Sequence, residues 1–226
     1  MGNKLFALLT ILVMAVSLIV GCQTGPKKTE PTTLEINPEI AETYNNRGVA
    51  YYSKGQFDLS IADYNNALEI NPRFAMAYYN RGIAYYSKGQ YDQVIADYNN
   101  ALEINPRYAE AYNNRGNAYR SKGQYDQAIA DYNNALEINP RYAEAYNNRG
   151  VAYRSKGQFD QAIADYNNAL EINPRYPMAY YNRGIAYYFK EEYDKSLENV
   201  KKAQELGYKI DPKFLEDLGK ASGKER

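Results

Sequence analysis

The residues able to do chemistry in this chain are few, and their types narrow the functions open to it. There is no His and a single Cys, at position 22. Metal sites built from His or paired Cys, Cys–His nucleophiles and imidazole acid–base catalysis are therefore unavailable, as is any disulfide within the chain. Acidic pairs exist, but each recurs along the sequence, whereas a catalytic site is normally single. No cofactor is implied, and the chain reads as non-enzymatic. Basic and acidic residues number 27 each. That balance argues against a nucleic-acid partner, because displacing counterions from a phosphate backbone takes a strong basic excess. What remains is a thiol near the amino terminus and a set of guanidiniums and aromatic rings in register. Arg120 and Arg154 are the cations that stand out, as planar donors suited to a carboxylate.

The thiol has a context. Lys4 and the amino terminus form a short positive stretch, and Leu5 to Val20 is apolar apart from Thr10 and Ser17. This run is on the short side for a spanning helix, which needs ~20 residues. It closes on Ile19-Val20-Gly21-Cys22, which resembles the bacterial lipobox. The resemblance implies residues 1–21 as a lipoprotein signal peptide, cleavage after Gly21 and acyl chains on Cys22. It also implies a cell-envelope location with a lipid anchor in the membrane. Gln23, where inner-membrane lipoproteins tend to have Asp, favours the outer membrane if the organism has one. Otherwise the anchor sits on the outer face of the plasma membrane. An uncleaved membrane anchor with an incidental Cys is the alternative. Residues 22–33 are then the lipidated Cys and a flexible polar tether with two prolines.

The aromatic rings recur. Tyr is abundant at 26 and Trp is absent. From Ala41 the sequence restarts every 34 residues, in units 41–74, 75–108, 109–142, 143–176 and a divergent 177–210. Among the first four units all but nine positions are identical. Tyr112, Gly116 and Tyr119 of the third unit fall at helical spacing, Gly123 is placed to end that helix, and Asp126 to cap the next. Ala128, Tyr132, Ala135 and Leu136 line one face of a second helix, which Asn139-Pro140 stops. One such hairpin cannot cover its own apolar face, so units must stack.

These positions resemble the tetratricopeptide repeat. Tyr stands at the fourth place (Tyr44, Tyr78, Tyr112, Tyr146, Tyr180), Gly at the eighth and Tyr at the eleventh. Small residues occupy the twentieth place, with Val94 the bulky exception, and the twenty-seventh, and Pro the thirty-second in the first four units. A period of 34 is that family's length. The resemblance implies an all-α, right-handed superhelical solenoid of five helix-turn-helix repeats that binds a protein segment in its concave groove. Leu34–Ile40 copies the close of a second helix and is expected to be a partial repeat capping the start. Asp211-Pro212 begins a C-terminal capping helix, with its tail, over 211–226, in which Phe214, Leu215 and Leu218 lie over the fifth unit.

Variation between units locates the binding face. Positions two, five, nine and twelve, separated by steps of three, four and three, form one stripe along the first helix. The stripe reads Glu42, Asn45, Val49, Tyr52 in the first unit and Met76, Tyr79, Ile83, Tyr86 in the second. It continues as Glu110, Asn113, Asn117, Arg120, then Glu144, Asn147, Val151, Arg154, and ends with Met178, Tyr181, Ile185, Tyr188. Two apolar patches thus flank an Arg-bearing centre, and the Asn residues are placed to grip a peptide backbone. Packing of the stripe against itself, or its cover by a loop, is the alternative. Two further rows are expected to be structural. Arg at the seventh place and Asp at the twenty-third should form a ladder, while the Asn65-Asn66 pair and its equivalents should be merely solvated. The function expected is a lipid-anchored scaffold that recruits a partner or assembles an envelope complex. Tetratricopeptide lipoproteins of this kind include pilus assembly factors and periplasmic adaptors. Self-association of the array as a spacer or coat, a homo-oligomer, is the competing reading.

Overall fold

The computed structural model describes residues 37–223. The signal peptide, Cys22, the tether, residues 34–36 and the last three residues lie outside them. The described residues form eleven helices and no strand: α1 (Pro38–Ser53), α2 (Phe57–Ile70), α3 (Ala75–Ser87), α4 (Tyr91–Ile104), α5 (Ala109–Ser121), α6 (Tyr125–Ile138), α7 (Ala143–Ser155), α8 (Phe159–Ile172), α9 (Pro177–Phe189), α10 (Tyr193–Glu205) and α11 (Pro212–Ala221). Odd-numbered helices α1 to α9 are the A helices of five hairpins, and each packs on the B helix that follows it and on the one before. None of the described helices is long and apolar enough to cross a membrane.

The repeated residues explain the hairpin. A methyl group added at Gly116 would lie 2.7 Å from Cε1 of Tyr132, so only Gly lets α5 and α6 approach with that ring between them. The same contact recurs at Gly48, Gly82 and Gly150 against Tyr64, Tyr98 and Tyr166. Those four tyrosines are the largest side chains that are fully buried. At the hairpin turn Gly123 has φ 75°, in the left-handed region that a Gly enters without steric cost. The fifth hairpin has Glu191 there with φ 62°, which costs on the order of 1 kcal/mol.

The helix ends depart from expectation at α6 and agree with it at α11. Asp126 does not cap α6. The N-cap is Gln124, with no side-chain bond, and Asp126, two residues further in, pairs with Lys156 of the next repeat. An acid there still complements the helix dipole. The same Lys–Asp link joins Lys88 to Asp58, Lys122 to Asp92 and Lys190 to Asp160. Asn37 and Pro38 begin α1, and the partial repeat expected over 34–40 lies in part outside the described residues. Asn37 Oδ1 accepts from the Glu39 and Ile40 amides at 3.1 and 3.3 Å, and Pro38 to Ile40 become the first turn of α1. Pro at the first helical position loses nothing, having no N–H to satisfy and a suitable fixed φ. Asp211 does cap α11, accepting from the Lys213 amide at 2.9 Å.

The Arg–Asp ladder is present and goes further than expected. Arg115 Nε and Nη2 donate to both carboxylate oxygens of Asp131 at 2.8 and 2.6 Å, and the first, second and fourth hairpins repeat the pair. The third nitrogen, Arg115 Nη1, donates to Asn99 Oδ1 of the previous repeat at 2.6 Å. Arg81, Arg149 and Arg183 reach Asn65, Asn133 and Asn167 in the same way. The first Asn of each Asn-Asn pair is therefore an inter-repeat link and not merely solvated. Burial works against the Arg81 guanidinium, but the hydrogen bonds and charge of Asp97 outweigh it and the net shift is upward. Arg183 faces the neutral Asn199 at 2.7 Å, and burial lowers its pKa.

Candidate partner-binding groove

Neighbouring A helices touch each other (α1 with α3, α5 with α7, α7 with α9), while B helices make no comparable contact. The A helices therefore lie on the inner side of the stack. The predicted stripe falls on this side, in rows that run across the repeats. Its positions divide by burial. Glu42, Val49, Met76, Glu110, Glu144 and Met178 are exposed, and Tyr52, Tyr79, Ile83, Tyr86, Asn117, Arg120, Val151, Arg154, Tyr181, Ile185 and Tyr188 are half-buried.

Asn45, Asn113 and Asn147 are buried, at 2 % exposure or less, and so are not placed to hold a peptide backbone. Each accepts from the position-six Asn of the following repeat: Asn80 to Asn45 at 2.9 Å, Asn148 to Asn113 at 3.0 Å and Asn182 to Asn147 at 2.9 Å. At the remaining junction Asn114 Nδ2 donates to the Tyr79 hydroxyl at 3.0 Å. A buried polar group without a partner costs ~1–3 kcal/mol, so this row is committed to stacking.

The twelfth-position row is where the repeats diverge in chemistry. Tyr52 and Tyr86 share hydrogen bonds with Ser87 and Ser121 of the next repeat, at 2.9 and 3.2 Å. Beside them lies a cleft of ≈ 120 Å³ lined by Tyr52, Ile83, Tyr86, Ser87, Tyr98, Asn114 and Asn117. That is about the size of one side chain. Arg120 and Arg154 continue the row and form no ion pair among the described residues. At the other end of the A helices, Glu110 and Glu144 lie among Tyr79, Tyr108, Tyr142 and Tyr176. Burial first, then neighbouring Tyr79 and Glu110, push Tyr108 up to about 12, and burial with Glu144 pushes Tyr176 up to about 12. The groove thus has an acidic, tyrosine-lined edge and a basic edge in its middle repeats.

The apolar patch of repeat five meets different neighbours from that of repeat two. Phe214 of α11 packs edge-on against Tyr188 and Tyr181, with ring centroids 5.5 and 6.0 Å apart, and Tyr208 lies 4.8 Å from Tyr181. Leu218 is fully buried. The position-34 tyrosines were not part of the predicted stripe, which was confined to the first helix of each unit. Tyr108 stacks on Tyr79 at 4.8 Å.

Comparison with known proteins agrees with this architecture. The TPR repeat family model matches residues 48–89, 116–154 and 152–190, and tetratricopeptide repeat models match 75–108 and 97–130. The chain belongs to the tetratricopeptide repeat family. No curated protein matches the sequence. Among solved structures, MamA is 30% identical over 70% of this chain and 93% of its own, with a TM-score of 0.65. YrrB, described as a TPR protein with an unusual peptide-binding site, is 26% identical over 84% of this chain and 94% of its own, with a TM-score of 0.64. PilW, a type IV pilus biogenesis factor, shares the fold at 22% identity over 82% and 87%, with a TM-score of 0.75. The chain is a TPR protein-binding scaffold.

Proposed function

We propose that this protein is a non-enzymatic, lipid-anchored scaffold of the bacterial envelope, which recruits a partner protein by gripping one of its segments along the A-helix groove. The observation that carries the reading is the cleft lined by Tyr52, Ile83 and Tyr86, in the row that continues with Arg120 and Arg154. Apolar anchors in pockets dominate binding energy, and charged neighbours set register and specificity. The peptide-binding site named for YrrB supports a peptide as the occupant. The anchor rests on Cys22 and the apolar run before it. Two or three acyl chains, at ~0.8 kcal/mol per buried CH₂, hold a protein on a bilayer persistently.

Crosslinking pull-down from intact membranes tests the groove. The same partner should be captured by the parent protein and lost from the pair Arg120→Glu, Arg154→Glu. Unchanged capture would put the site elsewhere. Labelled palmitate should enter the parent and not Cys22→Ala; equal labelling of both would end the lipoprotein reading. Light scattering that shows a concentration-dependent oligomer, abolished by Tyr79→Ala with Tyr181→Ala, would favour the self-associating spacer instead.

A further inference from the structure

The turn of the fifth hairpin departs from the other four at three places together. Residues 53–58, 87–92, 121–126 and 155–160 read Ser-Lys-Gly-Gln, an aromatic residue and Asp, with one positive and one negative charge each. The equivalent residues 189–194 read Phe-Lys-Glu-Glu-Tyr-Asp, with one positive charge and three negative. Ser becomes Phe189, Gly becomes Glu191 and Gln becomes Glu192. A neutral, polar turn has become an aromatic, acidic one.

Two of these changes work against the free protein. Ser87 and Ser121 bond to Tyr52 and Tyr86 of the preceding repeat, whereas Phe189 is 57% exposed, the most open of the large apolar residues described. Glu191 is held at φ 62°, where its Cβ crowds its own backbone and the glycines of the other four turns have none to crowd. Folds break such local rules chiefly at functional sites, where the strain is kept for a purpose.

The surroundings indicate what this turn can take. Phe159 of repeat four lies parallel to Phe189, with ring centroids 5.5 Å apart, and Tyr188 meets it edge-on at 5.8 Å. The ring is thus fixed in place while the residue stays open to solvent. Both nearby lysines are committed, Lys190 to Asp160 at 2.6 Å and to Glu192 at 3.1 Å, and Lys195 to Glu192 at 2.6 Å. Glu191 is exposed and forms no ion pair among the described residues. An open aromatic ring attracts a cation to its face, and a carboxylate two residues along supplies a charge and two acceptor oxygens. Guanidinium uses both, because it is planar, weakly hydrated and able to stack on a ring while donating to a carboxylate. An acidic segment would be repelled by the three carboxylates of the turn.

We propose that the turn of repeat five, through Phe189 and Glu191, is a docking point for an arginine-bearing segment of a partner protein. It lies at the hairpin-turn end of α9, off the stripe of the A-helix groove, and does not depend on the groove reading. The first four turns lack both the ring and the second and third acids, so the docking point occurs once in the array.

The test uses the full chain in a neutral detergent, with its phenylalanine rings labelled with carbon-13. The chain has six Phe residues, few enough to follow each ring separately. The probes are acetyl-Gly-Arg-Gly-Arg-Gly-amide and the same peptide with citrulline, which keeps the shape of arginine without its charge. The arginine peptide should shift the Phe189 and Phe159 rings and leave Phe57 and Phe74 unmoved. The citrulline peptide should bind about tenfold more weakly. Phe189→Ser and Glu191→Gly each restore the residue of the other turns, and each should weaken the arginine peptide about fivefold. Glu191→Gly should at the same time raise the thermal midpoint, because it relieves the left-handed strain.

Equal binding of the arginine and citrulline peptides, shifts spread evenly over Phe57 and Phe74, or full binding by both variants would each overturn the proposal. So would a concentration-dependent dimer that Phe189→Ser abolishes, since the turn would then be a contact between copies of this chain.

Discussion

Repeats two and five carry the same stripe, Met-Tyr-Ile-Tyr, but they do not present the same surface. In repeat two the following hairpin packs in register and leaves a cleft at Ile83 and Tyr86. In repeat five the chain leaves the pattern, and α11 sets Phe214 on the equivalents Tyr181 and Tyr188. The interior differs in parallel. Repeat two has Tyr98 against Gly82 and Asp97 against Arg81, whereas repeat five has Val200 against Gly184 and Asn199 against Arg183. An identical stripe thus meets different neighbours in the two places, lining a cleft in one and lying against Phe214 in the other.

Four experiments break or sharpen that contrast. The largest effect is expected from alkaline pH. Burial raises the pKa of Tyr98, Tyr132 and Tyr166, and Tyr108 and Tyr176 reach about 12, against an unfolded value of ~10. A raised folded pKa means that the folded state holds the proton more tightly. Its contribution is therefore complete below pH ~10 and is lost as pH rises through the folded values. Helical circular dichroism should collapse above that point, with the buried tyrosines ionising only as it does. Tyr98→Phe should move the midpoint to higher pH. Ionisation of every Tyr near pH ~10 with the helices intact would contradict the packing described.

Next in size is the ladder. Asp97→Ala strands a largely buried guanidinium and should cost ~3 kcal/mol in denaturant unfolding. Asn199→Asp should give repeat five the pair that repeat two has, and raise stability by ~1 kcal/mol. Opposite signs for these two changes confirm the contrast, and equal signs refute it. Third, Gly82→Ala would place a methyl 2.8 Å from the Tyr98 ring and should cost ~1–3 kcal/mol. Gly184→Ala meets Val200 at 3.0 Å, and better helix propensity should offset most of its cost. Similar losses at both sites would mean that the ring contact does not limit helix approach. The smallest effect belongs to Phe214→Ala, at ~1 kcal/mol for a half-buried ring. It should still expose Tyr181 and Tyr188 to iodination without altering Tyr79 and Tyr86. No gain in labelling would show that α11 is not the cover.

Much of this architecture was legible from local spacing. Tyr112, Gly116 and Tyr119 fall on one helix face whatever lies beyond it, Gly123 suits a left-handed turn, and Asp211-Pro212 starts a helix. The Arg–Asp ladder was also within reach, because both partners lie in one hairpin, 16 residues apart. The stripe was found through its variation, but its division was not. Asn45 and Val49 look equally free in the alignment of units, yet one is buried in a row of bonds and the other exposed.

The sequence by itself determined the helices, the hairpin and the stacking of repeats, since these follow from apolar spacing and from backbone preferences of Gly and Pro. Only the tertiary structure decided which groove positions are spent on neighbours. The Asn rails and the Lys–Asp links join residues of different repeats, 30 or more apart, and the Phe214 cover joins α11 to repeat five. A periodic sequence offers the same partner types at every junction. Which pair meets depends on how one hairpin sits on the next, and the exchange of Asn117 for Val151 shows how one side chain decides whether a buried Tyr hydroxyl has a partner.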